Sequence, residues 1–123
     1  MDTRSVIERY YELANKGDWQ GWADLFAEDQ VMDEQLAGRV EGRQTLRDMV
    51  VGFPDVYAQF QNVPRHIVVE GEQATVVSHI SARTHKDETI EADVANYFKV
   101  VDGQIAYMAN FHDTVPFRPV LGG

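Results

Sequence analysis

Helical periodicity in the first half of the chain, strand alternation in the second, and a hairpin signal at Asp102-Gly103 together predict an α+β protein. Helices followed by strands argue against alternating βαβ units, which would interleave the two periodicities. Long antiparallel strands must twist and curl, so the expected architecture is a curved antiparallel sheet wrapped around three N-terminal helices. No repeat or low-complexity tract divides the chain, and residues 1–123 read as one domain with a short linker-like tail at 116–123.

The first helix is expected from Thr3 to Lys16, where Val6, Tyr10 and Leu13 form an apolar stripe with Ile7, Tyr11 and Ala14 beside it. Gly17 supplies a left-handed stop. Asp18 can cap a second helix whose apolar face is Trp19, Trp22, Ala23 and Phe26. A short extended piece follows at Val31 to Leu36. Gly42 then precedes a third helix with Leu46, Met49, Val50 and Phe53 inward, closed by Gly52-Phe53-Pro54. From Val63 onward the pattern is a four-strand meander: Arg65 to Glu70, Gln73 to Arg83, Thr89 to Val101 and Gln104 to Thr114. Gly71-Glu72, Lys86-Asp87-Glu88 and Asp102-Gly103 make the turns.

Charge and composition exclude several classes of function. The chain has 123 residues, 11 Lys and Arg against 20 Asp and Glu, a net charge of −9 and no cysteine. Disulfides, Cys-based zinc sites and thiol catalysis are therefore absent. An acidic chain with scattered basic residues repels polyphosphate, so neither nucleic acid nor an anionic membrane surface is an expected partner. Met1-Asp2-Thr3-Arg4 carries charge where a signal peptide would carry its apolar core, and no apolar run reaches about 18 residues. The expected location is cytoplasmic. His66, His79 and His85 show no ligand spacing, so no metal is expected, and without a glycine-rich nucleotide loop or a Gly-x-Ser-x-Gly elbow no cofactor is expected either. Much of the negative charge falls in turns or on the outer strand parity, at Glu72, Asp87, Glu88, Glu91 and Asp93, as a solubilising exterior.

Strand parity separates residues facing the helices from those facing away. On the third strand Ile90, Ala92, Val94, Asn96, Phe98 and Val100 share the core face, and Asn96 interrupts it. A buried amide without partners costs about 1–3 kcal/mol, so Asn96 either bonds neighbouring backbone or lines a cavity. On the fourth strand Ala106, Met108, Asn110 and His112 lie on one face, with Ile105, Tyr107, Ala109 and Phe111 on the other. Both faces carry apolar weight, and only one can meet the helices. The outer one is expected to be covered by a second copy, giving a homodimer through the outer sheet face. Tyr10 lies at the centre of its stripe, so its ring is buried while its hydroxyl seeks a partner. Asp33 has the parity of Val31, opposite to Met32 and Glu34, and taken alone an acid in such a segment is more often a solvated loop residue than a buried one.

Arg9-Tyr10-Tyr11-Glu12-Leu13 with Gly17-Asp18, Phe26-Ala27-Glu28-Asp29 leading to Val31-Met32-Asp33, Gly42-Arg43 and Asp102-Gly103-Gln104-Ile105 stand in an order that resembles a known superfamily. It is that of the small, cone-shaped nuclear transport factor 2-like proteins, which include ketosteroid isomerases, SnoaL-like polyketide cyclases and limonene epoxide hydrolases. The resemblance spans Val6 to Phe117 and is closest to ketosteroid isomerase. It implies that Tyr10 stands at the oxyanion-hole tyrosine and, with one residue deleted before it, Asp33 at the general base. Asn96 falls where the isomerases keep a protonated aspartic acid, and His112 where they keep an aromatic pocket wall. Asn96 is a weaker donor than a neutral acid, and His112 adds a titrating group of the kind the cyclases place on this strand. The Arg-x-Asp pair of the epoxide hydrolases is missing, since Ser78, Ile80 and Ala82 look inward on the second meander strand.

The chemistry so implied is proton abstraction next to a carbonyl. Asp33 would take the proton, Tyr10 and Asn96 would donate to the enolate oxygen, and His112 would be a second acid/base group. Asn110 joins them on the inner face. Phe53, Val94, Phe98 and Met108 would form an apolar wall for a small apolar carbonyl compound. Double-bond isomerisation and intramolecular aldol cyclisation both use such a site. The competing expectation is a non-catalytic ligand-binding or dimerisation module of the same fold.

Overall fold

The computed structural model describes residues 1–121. Helix α1 spans Thr3–Lys16: the Asp2 side chain accepts the Ser5 N–H at its start, and Gly17 at φ 74° ends it with its N–H on the Ala14 carbonyl. Its apolar stripe buries Val6, Ile7, Tyr10, Tyr11, Leu13 and Ala14. Helix α2, Trp19–Asp24, is capped by Asp18, whose carboxylate accepts the Gly21 N–H at 2.9 Å. Helices α3, Arg43–Val50, and α4, Phe53–Val56, follow a strand pair.

Six strands form one sheet: β1 Phe26–Glu34, β2 Gly38–Glu41, β3 Tyr57–Glu70, β4 Gln73–Thr84, β5 Thr89–Val101 and β6 Gln104–Phe111. Their order is β2-β1-β6-β5-β4-β3, and β1 runs parallel to β6 while every other pair is antiparallel. The α+β class stands as expected, but the sheet is mixed rather than wholly antiparallel. The first half of the chain contributes a hairpin, β1 and β2, whose first strand slots beside the last. Phe26 accordingly opens β1 instead of closing the second helix. Strand β3 begins at Tyr57, earlier than Val63, because its first residues alternate Gln59 and Gln61 with Phe60 and Asn62, a weak apolar signal. Pro64 is tolerated there because β3 is an edge strand.

On β5 every even residue from Ile90 to Val100 is buried, while Glu91, Asp93 and Ala95 are exposed. At the α1 end of the inner face the rings of Tyr10, Tyr11, Trp22, Phe26 and Phe98 pack together, with Tyr10–Phe98 centroids 5.1 Å and Trp22–Phe26 centroids 4.7 Å apart. Each such buried ring contributes about 1.5–3 kcal/mol by leaving water. A smaller cluster of Ala82, Ile90, Ala92 and Phe117 lies apart from it. Phe117 belongs to a 3-10 segment, Val115–Val120, so the residues expected to form a linker-like tail instead fold onto the sheet with Phe117 fully inside. Gly122 and Gly123 lie outside the described residues. No helix among the described residues is long and apolar enough to cross a membrane.

Candidate active site

A cavity of about 360 Å³ draws its walls from both clusters. Trp19, Met49, Phe53, Phe60, Val94 and Phe117 supply apolar surface, and Tyr10, Glu34, Asn96, Asn110 and His112 are polar groups in its lining. A wider groove of about 700 Å³ beside the C-terminus of α1 shares Trp19, Phe53, Tyr57 and Phe60 with it.

Tyr10 reaches the cavity from α1. Burial pushes its hydroxyl far above the ordinary value, the neighbouring Trp22 partly offsets this, and the Glu34 charge adds to it. A tyrosine so placed stays protonated and acts as a donor. Tyr57 is shifted the same way, again by burial first and the Glu34 charge second.

Glu34 is the last residue of β1, and among the described residues it is the one carboxylate in the lining. Its Oε2 accepts the Leu36 N–H at 2.9 Å and also the Ala37 N–H, so the turn to β2 holds one oxygen and leaves Oε1 available. That same turn is tied to β6, since the Gln35 N–H donates to Asn110 Oδ1 at 2.9 Å. His112 donates Nδ1–H to the Asp113 carbonyl at 2.7 Å, because a carbonyl can only accept. In the neutral ring this leaves Nε2 as the acceptor, and the ring packs on Phe117 with centroids 4.6 Å apart.

Asn96 is 2% exposed and both its amide hydrogens are committed: Nδ2 donates to the Val76 carbonyl at 3.1 Å and to Ser78 Oγ at 3.0 Å. Backbone bonding and cavity lining, the two expectations for this residue, are therefore both met. The expected donation from Asn96 to an enolate oxygen is corrected, since no amide hydrogen is left for it.

Tyr10, Asn96, Asn110, His112, Phe53 and Val94 come together as the sequence predicts. Asp33 does not. It projects from the opposite face of β1, where Arg39 holds both its oxygens at 2.8 and 2.9 Å and the Tyr107 hydroxyl donates to it at 2.5 Å. These bonds, Arg39 first and Tyr107 second, draw its carboxyl down to about 2. The correction follows from strand geometry: Met32 is buried, so Met32 and Glu34 share the inner face and Asp33 turns outward. Phe98 and Met108 are also displaced from their expected role, because Phe98 packs against Tyr10 and Tyr11 of α1 and Met108 sits beside Met32 in the β1–β6 ladder, where both are buried core outside the lining. Glu34 shares the parity of Met32, but Val31 on the other parity is equally apolar, so the sequence alone assigns neither face. Phe117 carries no parity signal, having no periodic neighbours.

The chain is thus an α+β protein whose curved sheet and helices enclose a largely apolar cavity lined by a carboxylate and a buried tyrosine. The chain belongs to the SnoaL-like domain family, whose model matches residues 7–108. It is similar to an uncharacterized PhzA/B-like protein of Pseudomonas aeruginosa, 25% identical over 130 residues, with 100% of this chain and 92% of that protein covered. Among solved structures it is similar to an NTF2-like protein of unknown function from Burkholderia pseudomallei, at TM-score 0.87 and 14% identity over 100% of this chain and 99% of that one. A putative polyketide cyclase from Xanthomonas campestris pv. campestris superposes at TM-score 0.81 and 24% identity, covering 94% and 93%. At such identities these likenesses show the fold.

Proposed function

We propose that the protein is an acid/base enzyme working through its own side chains next to the carbonyl of a small, flat, apolar compound, as an isomerase or a cyclase. The observation that carries this reading is the inward Glu34 carboxylate with a free Oε1, in one cavity with the protonated Tyr10 hydroxyl. Glu34 takes the base role expected of Asp33. Its Oε1 removes a proton from the carbon next to the carbonyl, and the electron pair of that C–H bond moves onto the carbonyl oxygen. Tyr10 O–H donates to the enolate so formed, in a cavity whose aromatic walls exclude water and strengthen the bond. Returning the proton to another carbon isomerises a double bond. Attack of the enolate carbon on a second carbonyl of the same molecule closes a ring, the outcome favoured by the likeness to a putative polyketide cyclase. The alkoxide left by this ring closure takes up the proton that Glu34 removed, and His112 Nε2, an acceptor in the neutral ring, can relay it.

A non-catalytic ligand-binding module is the second reading, and the committed amide of Asn96 favours it, because the oxyanion then has one donor fewer than the isomerase pattern. Deuterium uptake at the α-carbon of 1-tetralone in D2O separates the two. Catalysed uptake that falls by about 10²-fold or more in Glu34→Gln supports the enzyme. Uptake that is uncatalysed, or unchanged by Glu34→Gln, leaves the binder.

The outer sheet face is proposed to bind a second copy of this chain. Val77, Ala95 and Phe111 lie side by side across β4, β5 and β6, and Val77 and Phe111 are exposed. Beside them His79 bonds Asp93 at 2.8 Å and Glu91 at 3.0 Å, with Arg65 3.5 Å from Asp93. A patch holding both charge signs around an apolar row can complement itself across a two-fold axis.

A further inference from the structure

The polar edge of the cavity formed by Asn96 and Asn110 has a fixed hydrogen-bond sense. A carbonyl can only accept, so the group that Asn96 turns to the Val76 carbonyl must be its NH2, and this settles which way the amide points. With Ser78 Oγ taking the second hydrogen, Oδ1 is what Asn96 offers to the cavity. Asn110 stands directly opposite Asn96 in the β5–β6 register, on the same face. Its sense is fixed in the reverse direction: the Gln35 N–H must donate, so it meets Oδ1 and leaves the Asn110 NH2 as the free end. Directly opposed residues have Cβ atoms about 4.5–5.5 Å apart, so an acceptor and a donor stand side by side on one edge of the cavity.

We propose that Asn96 and Asn110 form a recognition edge for an aryl ketone that also carries a free hydroxyl on the same flat ring system. Asn96 Oδ1 accepts the hydroxyl proton and the Asn110 NH2 donates to an oxygen acceptor of the ring system, while Trp19, Phe53 and Phe60 cover the ring faces. A buried acceptor that meets no donor is costly, so a ligand whose hydroxyl is blocked or missing is rejected more strongly than its lost contact alone would suggest. Asn96 is thereby a specificity-determining residue, opposite in sense to an oxyanion donor. This inference rests on the carbonyl-directed reading of the cavity.

The test is the affinity of the purified protein for 7-hydroxy-1-tetralone, 7-methoxy-1-tetralone and 1-tetralone by isothermal titration. The hydroxy ketone is expected to bind about tenfold tighter than either of the others, the scale of one well-made buried hydrogen bond. In Asn96→Leu that preference is expected to fall to about twofold or less. Equal affinity for the methyl ether and the hydroxy ketone, or no binding of any of the three, overturns the proposal. Should Asn96→Leu fail to fold, the three ligands on the unmodified protein decide it alone. The outcome is separable from that of the functional reading: selective binding without Glu34-dependent deuterium uptake leaves the edge and removes the enzyme, and uptake without selectivity does the reverse.

Discussion

Asp33 and Glu34 are consecutive residues that serve opposite faces of β1, Asp33 held outside by Arg39 and Tyr107 and Glu34 inside the cavity on the turn to β2. One peptide bond therefore separates a carboxylate tied to Arg39 and Tyr107 from one in the cavity lining, and the two are expected to respond differently to substitution.

Asp33→Asn is expected to lower stability while leaving the cavity intact. Its folded value of about 2 lies below the ordinary 3.8, so its contribution is full above the unfolded value and is lost as the pH falls through the folded one. The gap in melting temperature between the wild type and Asp33→Asn should be widest near neutral pH and close between about pH 4 and pH 2. A gap that stays constant across that range would show that the Arg39 pair contributes nothing through ionisation.

Tyr10→Phe removes one oxygen from a ring already packed on Phe98, Tyr11 and Trp22. Deuterium uptake by 1-tetralone should fall by about 10²-fold or more, the usual loss for one oxyanion donor, while the melting temperature changes little. Uptake that survives the substitution would move the donor role to Tyr57.

Phe117→Ala tests the C-terminal 3-10 segment as a wall of the cavity. Phe117 is 3% exposed, and removing a buried ring of this kind costs about 3–5 kcal/mol, so chemical denaturation should shift by that order. Ligand affinity should fall with it, because His112 loses the ring it packs against. A variant with native stability would mean that the segment only rests on the surface.

Asn96 is legible in the sequence because β5 alternates without a break, which places it inward. A regular Asp102-Gly103 hairpin would set Ala109 opposite it; the β5–β6 register shifts by one residue between Val100–Ile105 and Lys99–Tyr107, and it is this irregularity that turns Asn110 to the inner face. The first half is harder to read. Gln30 is completely buried with its amide donating to the Val40 and Gly42 carbonyls, so a polar residue occupies a core position and hides the alternation of β1. Strand β2 has four residues and one buried side chain, Val40, too little to register as a period. With β1 obscured, the parity of its last two residues could be separated but not assigned to a face. The sense of the Asn96 amide depends on Val76 and Ser78 across a strand boundary, which no local pattern encodes.

Phe111→Glu places a charge in the exposed row that runs through Val77 and Ala95. Sedimentation velocity should show a dimer for the wild type and a monomer for the variant, with deuterium uptake retained if the cavity is complete within one copy. A wild-type monomer at micromolar concentration would overturn the second-copy proposal.

The parallel pairing of β1 with β6 has a consequence for how the protein comes into being. Phe26 pairs with Ile105 and Asp33 with Ala109, so the segment that carries Glu34 cannot take its place until β6 has been synthesised. Closing so long a loop is slow compared with forming the helices and the β3–β4–β5 meander, whose partners are near in sequence. A nascent chain stopped before β6 would own Tyr10 and Asn96 yet have nowhere to seat its carboxylate, and the cavity becomes competent only when the last strand is threaded in.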